Sequence, residues 1–154
     1  MQSLIVRTAL VGVLLVSAGC GGGGSSSSQS ADFKTSFSSV VNQLKRTSQS
    51  IGVALEHASS QTDAQLATTF HTLAQRWQAQ VGKLQTLKPP ANLSTTFNTL
   101  TAAGQHAGRD LNAIASAAET HSAAAAKQAS TALITDVLSA KSASTTITDK
   151  LGIK

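Results

Sequence analysis

From Asp32 to the end of the chain, apolar residues return every three or four positions, and this spacing constrains the fold more than any other feature. The first stretch carries Phe33, Phe37, Val40, Leu44, Ile51, Ala54 and Ala58, with Thr47 as the weak member of its stripe. The second carries Leu66, Phe70, Leu73, Trp77, Val81, Leu84 and Leu87. The third runs through Leu93, Phe97, Leu100, Gly104, Ala107, Leu111, Ile114 and Ala118, and the fourth through Ala126, Leu133, Val137, Ala140, Ile147 and Leu151. Residues placed this way share one face of an α-helix. Strands would need a period of two, and they favour aromatic side chains, which make up only 3% of this chain with no tyrosine at all.

Local signals set the boundaries. Thr62 stands three residues before Gln65, the spacing of a capping box at a helix start. Pro89-Pro90 ends the second stretch, because proline lacks a donor and disfavours helix in the residue before it. No proline or glycine separates the third stretch from the fourth. Counting by threes and fours from Leu93 predicts core positions at 125 and 132, yet the stripe resumes at Ala126 and Leu133. This slip of one residue implies either a break near 119–122 or one long helix whose stripe rotates. The break is favoured because a lone long helix would leave its stripe uncovered. The sequence therefore predicts an all-α protein, an antiparallel up-down-up-down four-helix bundle over residues 31–154. Each helix of about 25 residues would be roughly 38 Å long. Gly104 and Ala107 on one stripe would let neighbouring helices approach closely.

The first 30 residues follow another logic. Arg7 precedes an uncharged, mostly apolar run from Thr8 to Gly19, and small residues lead up to Cys20. That arrangement is a secretory signal, and a run of about a dozen residues is too short to span a bilayer, which takes roughly 20. Ser17-Ala18-Gly19-Cys20 resembles the lipobox of bacterial lipoproteins, although Val16 lies one position further from the cysteine than that family's usual aliphatic residue. The resemblance covers the first 20 residues and implies cleavage after residue 19 and a diacylglyceryl group on the Cys20 thiol. Two acyl chains of the palmitate class would hold stably, since each buried CH₂ contributes about 0.8 kcal/mol. Residues 20–30, mostly Gly and Ser, read as a flexible linker with a reach of roughly 17–19 Å. The expected location is the cell membrane or outer membrane, lipid-anchored and facing outside the cytoplasm.

Up-down-up-down topology would gather Lys34, Lys83, Lys88, Lys150 and Lys154 at the end facing the membrane, beside Asp32 and Asp149. Lysines there would each gain about 1 kcal/mol beside anionic headgroups. Glu56, His57, Asp63, Glu119 and His121 would gather at the far end, where carboxylates and imidazoles are potential metal ligands. Glu56-His57 are adjacent, however, and point in different directions from a helix.

Several chemistries lack their residues. The net charge of +5 is diffuse, with no basic run beyond Lys45-Arg46, so no nucleic-acid partner is expected. Met1 is the only methionine and Cys20 the only cysteine, which excludes Met/His haem ligation and an internal disulfide in the mature domain. The third residue after Glu56 and after Glu119 is serine, not the histidine of di-iron bundles. Gly104-Gln105-His106-Ala107-Gly108-Arg109-Asp110 resembles the Gly-x-His-x-x-Glu motif of imelysin-like helical lipoproteins. Arg109 replaces the glutamate, so the implied metal ligand is missing and no cofactor is expected. Trp77 belongs to the core stripe.

The sequence leads to a non-enzymatic, membrane-tethered module that binds a protein or envelope component, or acts as a spacer. The alternative is a carrier of a small molecule or metal, using the bundle interior or distal tip. A cavity between the helices larger than roughly 300 Å³ would favour the carrier. Replacing Cys20 with serine should remove the acyl mass from the exported product and shift it out of the membrane fraction. Unchanged mass and partitioning would refute the lipid tether.

Overall fold

The computed structural model of the protein describes residues 25–153. Four α-helices run along the chain: α1 (Ser25–Glu56), α2 (Asp63–Gln85), α3 (Ser94–Glu119) and α4 (Ala123–Lys150). Short 3₁₀ turns at Ala58–Ser60 and Ala91–Leu93 precede α2 and α3. There is no strand among the described residues, and none of their helices is long and apolar enough to cross a membrane. The helices pack as a four-helix bundle. α2 lies against α3 and α3 against α4; α1 leans on α2 and barely meets α4.

Helix ends fall where the residues can close them. Thr62 caps α2 with a full capping box, its side chain accepting from the Gln65 N–H while the Gln65 side chain accepts from the Thr62 N–H. α2 stops at Gln85, ahead of Pro89-Pro90, and Thr86 and Leu87 tighten the exit through bonds to Lys83 O and Leu84 O. The break predicted from the phase slip lies between Glu119 and Ala123. There the Ser122 N–H reaches Ala117 O and the His121 N–H reaches Ala118 O, a Schellman closure with His121 left-handed at φ 54°. α4 ends the same way around Gly152 (φ 59°), with the Ile153 N–H on Thr148 O. This second closure folds Ile153 back against the core.

Ser25–Ser30 belong to α1, although the sequence places them in the flexible linker. Once the Phe33–Phe37 turn has formed, each further residue adds one helical bond at little cost, and serine lacks the large penalty of glycine. The helix accordingly reaches back to Ser25, the first serine after the glycine run.

The predicted stripes form the core. All eight members of the third stripe are buried, as are six of the seven apolar members of the first and five of the seven of the second. The fourth is thinner: Leu133, Ala140 and Ile147 are buried, while Ala126, Val137 and Leu151 are half-buried. Phe33, Phe37 and Phe97 join α1 to α3, with ring centroids 5.4 Å apart within α1 and 5.7 Å and 6.5 Å across to Phe97. Thr47, the polar member of the first stripe, is buried and accepts a 2.9 Å hydrogen bond from Gln80 of α2. The stripes do not indicate Ala74, Ala103, Ala115 and Ala117, which are also buried. α3 has neighbours on more than one side, so it buries more of its circumference than a single stripe.

Small residues set the spacing of α2 and α3. A Cβ on Gly104 would lie 2.9 Å from Val81 Cγ2, and one on Gly108 3.1 Å from Gln78 Cγ. The Trp77 indole N–H donates to the Gly104 carbonyl at 2.7 Å in a buried setting, which satisfies its one polar group. Gly82 is exposed and would meet nothing within 4 Å. Gly82→Ala should therefore stabilise the protein by about 0.5–1 kcal/mol, the usual gain at an unconstrained helical glycine. Gly104→Ala should destabilise it, because overpacking against the stiff Val81 side chain costs about 1–3 kcal/mol. Adding Val81→Ala to Gly104→Ala should cost less than the two single losses summed, as denaturant unfolding would measure.

Candidate functional site

The weak contact between α1 and α4 leaves a cleft of about 610 Å³ that reaches into the bundle. Its floor is apolar: Trp77, Val81 and Leu84 of α2 meet Leu100 and Gly104 of α3. Phe37, Val41 and Leu44 line it from α1, and Val137 and Ala140 from α4. Ile153, folded back by the Schellman closure, also lines it. The lining of α1 extends from Phe37 to Gln49, about 18 Å of helix.

Both walls turn polar towards the outside. α1 contributes Ser38, Asn42, Ser48 and Gln49, and α4 contributes Ser144, Thr145 and Thr148. Lys45 and Lys141 stand one on each wall and are the only charged residues of the lining among the described residues. The outer edges are polar and carry a lysine apiece, and like charges oppose their contact. The seam therefore stays parted while the core beneath it is packed. At one end the Lys34 ammonium donates to the Gly152 carbonyl at 3.1 Å and ties the start of α1 to the end of α4.

Bundle topology puts Lys34, Lys83, Lys88 and Lys150 at that same end; Lys154 and Cys20 lie outside the described residues. At the opposite end Glu56 closes α1, His57 follows it, Asp63 opens α2 and Glu119 closes α3. Of these, the structure joins Asp63 to His121, whose Nδ1 lies within hydrogen-bond distance of Asp63 Oδ2. Glu119 takes a partner the sequence reading missed: His71 Nε2 of α2, at 3.0 Å. Glu56 and His57 form no ion pair among the described residues. No group of three or more His, Cys, Asp or Glu among them is arranged to hold a metal ion.

A second cluster, also unforeseen, crosses from α3 to α4. Asp110 lies beside Asp136, and His106 Nδ1 is 3.9 Å from Asp136 Oδ2. Asp110 thus meets a carboxyl on another helix. Its Oδ2 is buried without a hydrogen-bond partner. Burial, then the neighbouring Asp136 carboxyl, raises the Asp110 pKa above its ordinary 3.8, while His106 and Arg109 pull it back. The His–carboxyl contacts among the described residues are His71–Glu119, His106–Asp136 and His121–Asp63.

No protein family, curated protein or solved structure matches the chain. The geometry of the site itself, and above all the parted α1–α4 seam, is the ground for a functional reading.

The raised Asp110 pKa fixes the sign of one effect. The folded state holds that proton more tightly than the unfolded state, so the contribution is full below 3.8 and is lost as pH rises through the raised value. At neutral pH the ionised carboxylate destabilises the fold relative to the unfolded chain. Asp110→Asn should therefore raise stability at neutral pH and flatten its dependence on pH just above 3.8. Denaturant midpoints measured across that range test this; a lower midpoint for the variant at neutral pH would contradict it.

Proposed function

We propose that the protein is a non-enzymatic, lipid-tethered binding module that holds a small apolar or amphiphilic ligand in the α1–α4 cleft. One observation carries this reading: about 610 Å³ of largely apolar space between helices, inside the range of roughly 300–1,000 Å³ usual for small-molecule sites. It favours the carrier over a bare spacer, which needs no cleft. Within this reading the lipid on Cys20 fixes the bundle outside the cytoplasm at the cell membrane or outer membrane. The lysine end then faces the headgroups. Exposed Ile134 and Leu138, one turn apart on α4, favour a further role in contacting an envelope protein.

Trp77 is the only tryptophan in the chain and lines the cleft, so its fluorescence reports occupancy without competing signals. The neutral dye N-phenyl-1-naphthylamine, titrated into the full-length Cys20→Ser chain, should accept energy from Trp77 and saturate at one dye per chain. That chain carries no acyl groups of its own to fill the site. Ser144→Phe, which projects a ring into the cleft from α4, should abolish the transfer while leaving the helical circular-dichroism spectrum unchanged. Absence of saturable transfer in the parent chain would sink the proposal.

A further inference from the structure

The chemistry of the lining narrows the ligand class, in an inference that rests on the cleft being a binding site. We propose that the cleft takes a single-chain anionic amphiphile, a long acyl chain ending in a carboxylate.

Lys45 and Lys141 line the cleft from opposite walls, and no Asp or Glu among the described residues lines it. Neither lysine has a salt-bridge partner among the described residues. A lysine can lay its methylene stem along apolar surface and keep its ammonium at the mouth. Two such groups, one from each side, form a receptor for one anion at the rim above an apolar floor. A neutral hydrocarbon would leave both unused, and a cation would be repelled by both.

Position along the bundle gives the direction of the chain. Lys45 lies eight residues beyond Phe37 on α1, and Lys141 twelve before Ile153 on α4, so both stand well away from the tied end. Between them and that end lie Phe37, Leu84, Leu100 and Ile153. The headgroup therefore sits at the lysine pair and the tail runs towards the end closed by Lys34 and Gly152. From the lysine pair to Phe37 the slot runs about 12 Å of helix, so a long acyl chain fits there only bent back on itself. Ser48 and Gln49 of α1 stand next to the headgroup position and can donate hydrogen bonds to a carboxylate.

Dibromostearate is the direct probe, because bromine on the chain quenches tryptophan only at close range and Trp77 lies in the floor. With the full-length Cys20→Ser chain, quenching should saturate, and added salt should weaken binding. The double variant Lys45→Gln/Lys141→Gln should bind the acid about tenfold more weakly, the loss of two exposed charge contacts. Dibromostearyl alcohol should bind both chains equally, and more weakly than the acid binds the parent. Vesicles of bromine-labelled phosphatidylcholine should not quench, which separates a free single-chain acid from a membrane phospholipid. The inference is overturned if the double variant binds the acid as well as the parent does, if the alcohol equals the acid, or if the vesicles quench instead. Failure with the acid while the neutral naphthylamine still saturates would remove the ligand class and leave the cleft reading standing. Failure of both would remove the two together.

Discussion

The hydrogen bond from the Trp77 indole to the Gly104 carbonyl requires α2 and α3 to lie close enough for an indole nitrogen to reach another helix's backbone. That approach is open only because Gly104 and Gly108 present no side chain to Val81, Trp77 and Gln78. On its other side α3 packs against α4 through small residues, with Ala103, Ala107, Ala115, Ala129, Ala140 and Ala143 buried in the core. Three helices are thereby drawn into a tight unit. The fourth, α1, is held by its phenylalanines and by the Thr47–Gln80 bond, neither of which brings it against α4. The parted seam follows from where the small residues lie.

The seam places the molecule's chemistry on two surfaces of different character. Towards α3 and α4, Asp110 and Asp136 are half-buried beside an exposed His106, and Asp110 Oδ2 has no hydrogen-bond partner. Towards α1 and α4 the cleft has an apolar floor and cationic rims, the combination that suits a molecule with a greasy body and an anionic end. A tether at Cys20 would hold this cleft near a membrane, with its tied end on the lysine-rich side of the bundle. Each feature is modest alone. Together they leave the α1–α4 cleft and the α3–α4 polar cluster as the two chemically distinct regions of the bundle.

Much of this was legible in the residues. The stripe from Leu93 to Ala118 names eight buried positions, and the shift from 125 and 132 to Ala126 and Leu133 locates the turn that separates α3 from α4. Thr62 and Gln65 announce the capping box. The reading was weaker wherever a helix has neighbours on more than one side, because one stripe then accounts for only part of what is buried. Ala74, Ala103, Ala115 and Ala117 escaped it for that reason. The start of α1 was placed late because glycine and serine in series look like a linker, although serine alone can extend a helix already begun. Lys45 was visible only as half of a basic pair, and Lys141 drew no notice at all. Their meaning comes from facing one cleft, and no spacing within a single helix encodes that.

The sequence by itself determined the helical class, the four segments, several of their ends and most of the core, because periodicity, caps and prolines act over a few residues. Tertiary structure decided which surfaces were left over. Whether α1 closes on α4, which wall Lys141 faces, and that Asp110 meets Asp136 all depend on the spacing and rotation of helices about one another. Those quantities are set by side chains from three or four segments at once, so they exist only after the chain has packed.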